Sequence, residues 1–400
     1  MEEWKEYKLG DVCSIVGRIG FRGYTTDDLT NNQKDGAISL SPTNIVAGEL
    51  DLSKPTFIKW PKYYESPEIM LNQGDIVLVK TGSSIGRTTR IREVKHPMTL
   101  NPQFVVLKDI KVNNVFLSYV IKSPYFQALL STITVGSAIP TLSQKNLSNL
   151  NIRVPDTKKQ NKIASILSSL DDKIEVNRRI NDNLEQQAQA LFKSWFVDFE
   201  PFKEGEFVES ELGMIPKGWR VGKLGELCQF KRGKNLLSKD AKFGDVPVVA
   251  GGLEPSCYHN ISNTKSPVVT VSGSGANAGF MRMYYQEVWA SDCSFIDTSC
   301  ENLLFVYYFL SINRRLLKHA QTGAVQPHVK PADIHDFNIV IPPYNEIKKF
   351  QTKVSPIVIN NGKNEQESKK LILLRDTLLP RLMSGELKIN IIDTISARNE

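Results

Sequence analysis

The sequence predicts a mixed α/β (α+β) fold in which two similar globular domains alternate with two long helical spacers. Three observations support this prediction: an internal repeat, short β-branched runs mixed with helical spacing inside each copy, and a long heptad-like stretch after each copy. The 400 residues are 41% hydrophobic and 9% aromatic, which is enough for two to three cores of ordinary size. This composition excludes a chain that is mainly disordered.

The internal repeat marks the start and the end of each globular segment. At the start, a Trp-x4-Leu-Gly-acid-aliphatic-Cys pattern occurs twice: Trp4, Leu9, Gly10, Asp11, Val12 and Cys13 recur as Trp219, Leu224, Gly225, Glu226, Leu227 and Cys228. At the end, a second pattern recurs at a shorter offset: Gly136, Pro140, Leu147, Ile152, Val154 and Pro155 return as Gly323, Pro327, Ile334, Ile339, Ile341 and Pro342. Because proline disfavours helix at the preceding residue, we expect globular domains at 1–155 and 213–342 and helical spacers at 156–212 and 343–400.

Inside the globular domains, the sequence predicts both strands and helices. The runs 76–79, 104–107 and 267–271 are rich in β-branched or aromatic residues and are bounded by Gly, Asp or Asn, which is typical of short strands. Residues 116–130 and 303–319 have helical apolar spacing instead. The order of the strands is not predicted.

Both spacers carry a heptad-like seam, and the first predicts a helix from about residue 158 to 196, about 60 Å long. The shared a positions are Ile163, Leu170, Asn177, Leu184 and Leu191 in the first spacer, and Phe350, Ile357, Asn364, Leu371 and Leu378 in the second. A buried Asn fixes register at a cost in stability, so we expect the two helices to meet in one alignment. Two ordinary amphipathic core helices are the alternative. Pro356 and Gly362 predict a kink or a late start in the second helix.

Charge follows the same division of the chain. The net charge is +7 overall, and it is +4 for 1–155, −4 for 156–212, +4 for 213–342 and +3 for the remainder. Two cationic modules held apart by rods would suit two patches on one polyanion. A DNA duplex read at two half-sites about one turn apart is the obvious candidate.

Motifs for catalysis, metal binding or membrane insertion are not evident. The glycines after the 267–271 run are spaced G-x-G-x-x-x-G rather than as a dinucleotide-binding turn, and Ile341-Pro342-Pro343-Tyr344 lacks the polar residue with which methyltransferases hold an amine. The five histidines have no metal-ligand spacing, and no apolar stretch approaches the roughly 18–20 residues of a membrane span. We expect no metal site, a cytoplasmic protein and no membrane association.

We expect the cysteines and the paired carboxylates to have structural roles. Cysteine is scattered and odd in number, at Cys13, Cys228, Cys257, Cys293 and Cys300. We expect buried reduced thiols rather than a disulfide framework. The adjacent pair Asp171 and Asp172 is interpreted as solvated surface.

Two basic, hydroxyl-rich stretches are candidates for contacts with phosphates and base edges. The candidates in the first domain are Arg18, Arg22, Lys80, Thr81, Ser83, Ser84, Arg87, Thr88 and Arg90. The candidates in the second domain are Arg232, Lys234 and Asn235, together with Ser274, Asn277 and Arg282 of the glycine loop. A solvated charged face is the alternative for each stretch, and duplication favours nucleic acid.

Several longer motifs make the whole chain resemble the specificity subunits of type I restriction-modification systems. Besides the two Trp-x4-Leu-Gly-acid starts, the resemblance rests on residues 74–82 (GDIVLVKTG), 136–143 (GSAIPTLS), 163–174 (IASILSSLDDKI) and 378–387 (LLPRLMSGEL). It implies two target-recognition domains, each reading one half of a bipartite double-stranded DNA site. It also implies two long helices that pack antiparallel, set the spacing and dock two modification subunits.

The resemblance further implies a subunit without catalysis or cofactors of its own. S-adenosylmethionine would belong to the modification subunits, which methylate adenine, and ATP and Mg to the restriction subunits. It names no base-reading residue. A two-module protein-interaction scaffold that reads no DNA is the alternative, and its binding would be insensitive to salt.

Overall fold

A computed structural model describes residues 4–46, 48–134, 141–321 and 327–387. The chain forms two compact units: unit 1 contains Met1–Asp172 and Leu371–Glu400, and unit 2 contains Lys173–Lys370. Both the long helices therefore contribute to both units. Gly136, Pro140 and Gly323 of the end repeat, and residues 388–400 of the last spacer, lie outside the described residues. The domain boundaries drawn from the sequence stay predictions.

Unit 1 mixes short strands and short helices. Its strands are β1 (Lys5–Lys8), β2 (Ser14–Val16), β3 (Leu29–Thr30), β4 (Gly36–Leu40), β5 (Ile45–Val46), β6 (Glu49–Leu50), β7 (Phe57–Lys59), β8 (Ile76–Val79), β9 (Thr88–Arg90), β10 (Met98–Leu100), β11 (Phe104–Lys108) and β12 (Asn151–Val154). Its short helices are α1 (Leu9–Val12), α2 (Trp60–Tyr64), α3 (Asn114–Lys122), α4 (Pro124–Thr132) and α5 (Gln144–Ser148).

The principal sheet of unit 1 has the strand order β2-β11-β8-β9 and is antiparallel throughout. A second sheet, β10-β4-β7-β3, contains one parallel pair, β4 with β10. In β8, Ile76 and Leu78 lie in one hydrophobic core while Val77 and Val79 lie in another. Successive strand side chains point to opposite faces, so this continuous apolar run separates two cores.

Unit 2 repeats this arrangement with the first long helix, α6 (Thr157–Phe196), entering it from unit 1. Its strands are β13 (Phe207–Ser210), β14 (Gly213–Pro216), β15 (Arg220–Lys223), β16 (Lys231–Arg232), β17 (Val246–Val249), β18 (Cys257–His259), β19 (Val268–Ser272), β20 (Met281–Tyr284), β21 (Trp289–Ala290), β22 (Cys293–Asp297) and β23 (Asn338–Ile341). Its short helices are α7 (Leu224–Leu227), α8 (Leu303–Ile312), α9 (Arg314–His319) and α10 (Pro331–His335).

The principal sheets of the two units correspond strand by strand, and the second sheets are similar, with four strands in unit 1 and three in unit 2. The principal sheet of unit 2 is β16-β22-β19-β20, antiparallel throughout, and its second sheet, β18-β17-β21, again contains one parallel pair. The start and end of each domain also pair in the same way, β1 with β12 and β15 with β23. The internal repeat read from the sequence is thus a structural duplication, and the expected strands are confirmed.

The long helices pair antiparallel within each unit. The second of them, α11, spans Tyr344–Ser384. In unit 1, Ile163 near the start of α6 shares a core with Leu379 and Leu382 near the end of α11. In unit 2, the rings of Phe192 and Phe350 pack edge to face at 5.4 Å, which brings the end of α6 against the start of α11.

The residues of the predicted seam lie on the paired faces of the two helices, but they are buried to different extents. Ile163, Asn177 and Phe350 are buried. The remaining seam residues are partly buried: Leu170, Leu184, Leu191, Ile357, Asn364, Leu371 and Leu378. The deepest neighbours on α6 are Leu167, Ala188 and Phe192. An α-helix drifts against a strict seven-residue repeat, so the buried stripe moves to positions beside the a series.

Some helix boundaries differ from the sequence-based expectation. The expected helix over 116–130 is two helices, because Ser123 ends α3 and caps α4, whose first residue is Pro124. The expected helix over 303–319 is likewise divided at Asn313. Of the kink or late start expected for the second long helix, the late start is wrong, because α11 begins at Tyr344 and continues through Pro356.

Gly362 has a packing role in α11. A Cβ at this position would lie 3.0 Å from Cβ of Tyr285. The glycine therefore allows the helix to approach β20 and the residues after it more closely than any larger residue would. The propensity cost of glycine, about 1 kcal/mol, is offset by this contact.

Two structural interpretations from the sequence need correction. Cys228 and Cys300 form a disulfide, with their Cα atoms 6.0 Å apart, so the expectation of reduced thiols is wrong for this pair. Asp171 is not solvated: it is buried, accepts a hydrogen bond from the Tyr119 hydroxyl at 2.5 Å and pairs with Arg375 at 2.7 Å. Its neighbour Asp172 is exposed, as expected.

Candidate nucleic-acid interface

Each unit has a loop at the equivalent end of its principal sheet. Loop 1 (residues 80–87) joins β8 to β9, and loop 2 (residues 273–280) joins β19 to β20. In loop 1 the amide of Gly86 donates to the carbonyl of Val79 over 3.0 Å, and in loop 2 the amide of Gly279 donates to the carbonyl of Ser272 over 2.9 Å. The two loops therefore close in the same way.

The backbone of both loops requires glycine at matching positions. Gly82 and Gly86 have φ of +92° and +87°, and Gly275 and Gly279 both have φ of +78°. Residues with a Cβ are strained in this region. A Cβ on Gly279 would also lie 2.7 Å from the carbonyl oxygen of Leu317. The loop 2 glycines therefore serve a tight turn, and at Gly279 this turn closely approaches another backbone.

A second segment of each unit lies across its loop. Thr81 forms an isolated antiparallel bridge with Thr141, and Ser274 forms the equivalent bridge with His328. The amide of Leu142 donates to the carbonyl of Lys80 over 2.8 Å, and the amide of Val329 donates to that of Gly273 over 3.0 Å. The segments that contact the loops therefore begin at Thr141 in unit 1 and at Pro327 in unit 2.

Loop 1 carries cations and hydroxyls that make few contacts inside the protein. Arg87 and Ser83 are exposed, and Lys80, Thr81 and Ser84 are partly exposed. Burial lowers the pKa of Lys80, which nevertheless has no counter-ion among the described residues. These donors are therefore available to an acceptor-rich partner such as nucleic acid.

A compact ionic cluster lies beside loop 2. Arg232, at the end of β16, pairs with Asp292, and the Ser274 hydroxyl donates to the same carboxylate. The Arg232 side chain remains 46% exposed. Asn277 is partly exposed on the loop itself. The carboxylate thus holds a guanidinium and a hydroxyl together at the surface.

The duplicated domain agrees with comparisons to known proteins. The family described as "Type I restriction modification DNA specificity domain" matches residues 1–186 and 216–371, one match for each copy. The chain belongs to this family. It is therefore a type I specificity subunit, whose role in such systems is recognition of the DNA target.

Individual members of the family extend over most of the chain. The MjaIX specificity subunit of Methanocaldococcus jannaschii is 33% identical over 74% of this chain and 74% of its own length. The HindI specificity subunit of Haemophilus influenzae is 24% identical over 97% of this chain and its full length. A crystal structure of a type I S subunit from M. genitalium, 16% identical, covers 95% of this chain and 96% of its own with a TM-score of 0.55, and supports the fold.

Within this specificity subunit, Arg18 is not placed as a DNA contact. It is 5% exposed, and its guanidinium donates to the carbonyls of Leu100 and Arg22 and to the Ser66 hydroxyl, each over 3.2 Å. Burial lowers its pKa. The structure therefore corrects the interpretation of Arg18: its donors are used in holding the domain together.

Thr88 and Arg90 belong to β9 rather than to loop 1. Thr88 is buried, and its hydroxyl donates to the carbonyl of Val77 over 2.8 Å. The structure therefore also corrects the interpretation of Thr88 as a DNA contact. Arg90 is partly buried, and burial together with the neighbouring Arg92 lowers its pKa.

The remaining candidates are exposed or partly exposed. Arg22 pairs with Glu68 at 3.3 Å. Lys234 and Asn235 are exposed after β16, and the Asn235 amide oxygen accepts from Ser291 over 3.4 Å. Arg282 lies over the ring of Tyr284 at 4.9 Å and donates to the carbonyl of Leu253 over 3.3 Å.

Sequence reasoning missed Gln103, Asp292, Thr141 and His328, which contact the loops from other parts of the chain. It also treated the two loops separately. The signal was present in the sequence, because a glycine pair spaced G-x-x-x-G follows an apolar strand in both copies, at 82 and 86 and at 275 and 279.

In the part of the chain that the structure describes, no three His, Cys, Asp or Glu side chains group as metal ligands. None of the helices in the described ranges combines the length and apolar character needed to cross a bilayer.

Proposed function

We propose that each of the two globular domains reads one half of a bipartite site in double-stranded DNA. The observation that supports this proposal is the duplicated loop: each principal sheet presents the same backbone turn, supported by the same crossing segment, with different polar side chains. One framework with two sets of donors and acceptors is suited to reading two different short sequences.

The residues proposed to contact DNA follow from this placement. In unit 1 they are Lys80, Thr81, Ser83, Ser84 and Arg87 of loop 1, together with Arg22 and with Arg90 of β9. In unit 2 they are Arg232, Ser274 and Asn277, with Lys234, Asn235 and Arg282 beside them.

The long helices are proposed to set the gap between the half-sites and to dock two modification subunits. Their length and their polar, register-specifying layer support the first role. In this proposal the chain performs no chemistry: the modification subunits bind S-adenosylmethionine and methylate adenine, and restriction subunits that use ATP and Mg join through them.

Single-base mapping of adenine methylation tests the proposal. The chain is co-expressed with its modification subunit in a host that lacks other adenine methylation. We expect a split motif, two short defined halves around a fixed gap, that disappears when this chain is omitted. Methylation that is unchanged without the chain, or absent from a demonstrably assembled complex, would contradict the proposal and favour the scaffold function.

A replacement experiment assigns the halves. Residues 216–341 are exchanged for the corresponding segment of another family member with a different motif. We expect one half of the motif to change and the other to stay, because loop 1 and its sheet are untouched. A change in both halves would contradict independent reading.

A further inference from the structure

The two loops differ in where their cation comes from. The spacing that aligns Trp4 with Trp219 also aligns Gly17, the residue after edge strand β2, with Arg232, the last residue of edge strand β16. The loop geometry aligns Lys80 with Gly273, the first residue of each loop. Unit 1 thus has glycine after the edge strand and lysine on the loop, and unit 2 has arginine at the end of the edge strand and glycine on the loop.

This exchange is sterically coupled. A Cβ built on Gly273 would lie 2.1 Å from Nη1 of Arg232. The guanidinium therefore occupies the space into which a side chain at the first loop position would extend. In unit 1, that position is occupied by Lys80 itself. A side chain at the first loop position of unit 2 would therefore displace the Arg232 guanidinium. The two units place a cation at or beside the first loop position from different segments, Lys80 on loop 1 and Arg232 on β16.

The residue on the neighbouring strand segment that accepts from the first loop amide also differs between the units. The amide of Lys80 donates to the carbonyl of Gln103 over 2.7 Å, and the amide of Gly273 donates to that of Asp292 over 3.1 Å, so Gln103 and Asp292 are equivalent. Asp292 pairs with Arg232 and accepts from Ser274. Gln103 is neutral and exposed, and its amide oxygen accepts from Asn101 over 3.1 Å.

The pairing in unit 2 argues against a simple phosphate contact. A carboxylate beside the guanidinium cancels much of its attraction for a phosphate and would repel that phosphate. The same carboxylate restricts the guanidinium to one orientation while leaving other N–H groups free, and orientation is what base reading needs. In unit 1, the exposed Arg87 is better placed for phosphate than the partly buried Lys80.

We infer that Lys80 and Arg232 are the equivalent specificity-determining cations of the two domains, and that each reads a guanine in its half-site. Guanine presents two acceptors, O6 and N7, in the major groove, and Arg and Lys are the side chains that pair with them. Asp292 is a positioning residue that orients Arg232. This inference rests on the proposed function and adds to it the base and the residue in each half.

The test compares the methylated motif for variants of the complete complex. Lys80→Met keeps the aliphatic stem and removes the charge, and Arg232→Met does the same in unit 2. Each is expected to lower the preference for guanine at one position of one half-site by about 10- to 100-fold, leaving the other half unchanged. The intact half-site is an internal control for folding. Lys54→Met removes an exposed lysine elsewhere in unit 1 and should leave the motif unchanged.

Two additional variants test the geometry. Asp292→Ala should relax the same position as Arg232→Met, which a purely structural role would not produce. The triple variant Gly17→Arg/Lys80→Gly/Gln103→Asp transplants the unit 2 arrangement, with its carboxylate, into unit 1 and should keep guanine at the position that Lys80→Met relaxes.

The outcomes separate this inference from the proposed function. A wild-type split motif that stays unchanged in both single variants overturns the inference and leaves the proposed function standing. Equal loss of methylation at all sites, with an unchanged melting temperature of the complex, assigns the cations to general affinity and also overturns it. A wild-type complex without a split motif contradicts the proposed function itself.

Discussion

Arg18 and Arg22 are close together in the sequence, but they have different roles because they differ in burial. Arg18 supplies buried carbonyls and hydroxyls with donors, whereas Arg22 forms a partly exposed pair with Glu68. Composition alone makes them equivalent basic residues. Only the packing around each guanidinium separates a structural cation from one that a ligand can reach.

Replacement of these arginines should therefore have different effects on stability. Arg18→Met leaves several buried acceptors without donors and is expected to lower the free energy of unfolding by about 2 to 4 kcal/mol. Arg22→Met, the matched control, should cost at most about 1 kcal/mol. Thermal unfolding of the two variants measures both, and an equal shift would contradict the assignment of Arg18.

The loop glycines offer a second matched pair. Gly275 and Gly279 have the same φ, so backbone strain in Gly275→Ala and in Gly279→Ala should lower the free energy of unfolding by about 1 to 2 kcal/mol each. Only Gly279→Ala also forces a Cβ against the backbone of Leu317, which should add about 1 to 3 kcal/mol. Unfolding curves that shift equally for the two variants would show that the close approach is relieved without cost.

At the scale of elements, the long helices are held by buried polar groups as well as by the apolar seam. Asp171 on α6 contacts Tyr119 of α3 and Arg375 of α11 within unit 1. Burial and the Asp171 carboxylate together raise the pKa of Tyr119, so its hydroxyl keeps its proton and donates. One carboxylate thus joins three helices.

Removal of this carboxylate should be much more damaging than removal of its neighbour. Asp171→Ala leaves Arg375 without its buried partner and is expected to cost about 3 to 5 kcal/mol. Asp172→Ala removes a side chain that is 58% exposed and should cost at most about 1 kcal/mol. Comparable losses in urea unfolding would mean that Asp171 is not structurally distinct.

A second polar layer lies between α6 and α11 in unit 2. The Asn177 amide donates to the Glu367 carboxylate over 2.7 Å, and the Asn364 amide donates to the Asn181 side-chain oxygen over 2.8 Å. The side-chain oxygen of Asn177 is buried without a partner among the described residues. Such a layer costs stability and specifies register.

The layer predicts a separation of stability from spacing. Asn177→Leu should leave the free energy of unfolding unchanged or raise it by up to about 2 kcal/mol, while the methylated motif acquires more than one gap length. The exposed Arg178→Ala is the control and should keep a single gap. A single gap in Asn177→Leu would show that the apolar seam alone specifies register.

At the scale of the whole molecule, the net charge of +7 is modest for a protein proposed to bind DNA. Recognition would then depend on where the cations lie rather than on their number. Phosphate contacts release counter-ions and make affinity depend steeply on salt, whereas contacts to base edges discriminate between sequences.

Arg87 and Arg232 should separate these two contributions in DNA binding by the assembled complex. Arg87→Ala is expected to weaken binding to target and non-target duplexes alike and to reduce the slope of log affinity against log salt by about 0.9. Arg232→Met should weaken target binding selectively. Titrations between about 50 and 200 mM salt measure both effects, and a selective effect of Arg87→Ala would reverse its assignment.

The sequence by itself determined the duplication, the strands, the long helices and the family, because these depend on periodicity, punctuation by proline and glycine, and motifs that are local in the chain. Only the tertiary structure decided which cation lies at each loop and which is buried. The equivalent cations Lys80 and Arg232 lie on different segments of their units, Lys80 on loop 1 and Arg232 on β16. The positions of Gln103, Asp292 and Asp171 depend on contacts between residues far apart in sequence. Burial and long-range pairing arise from packing, which no local pattern specifies.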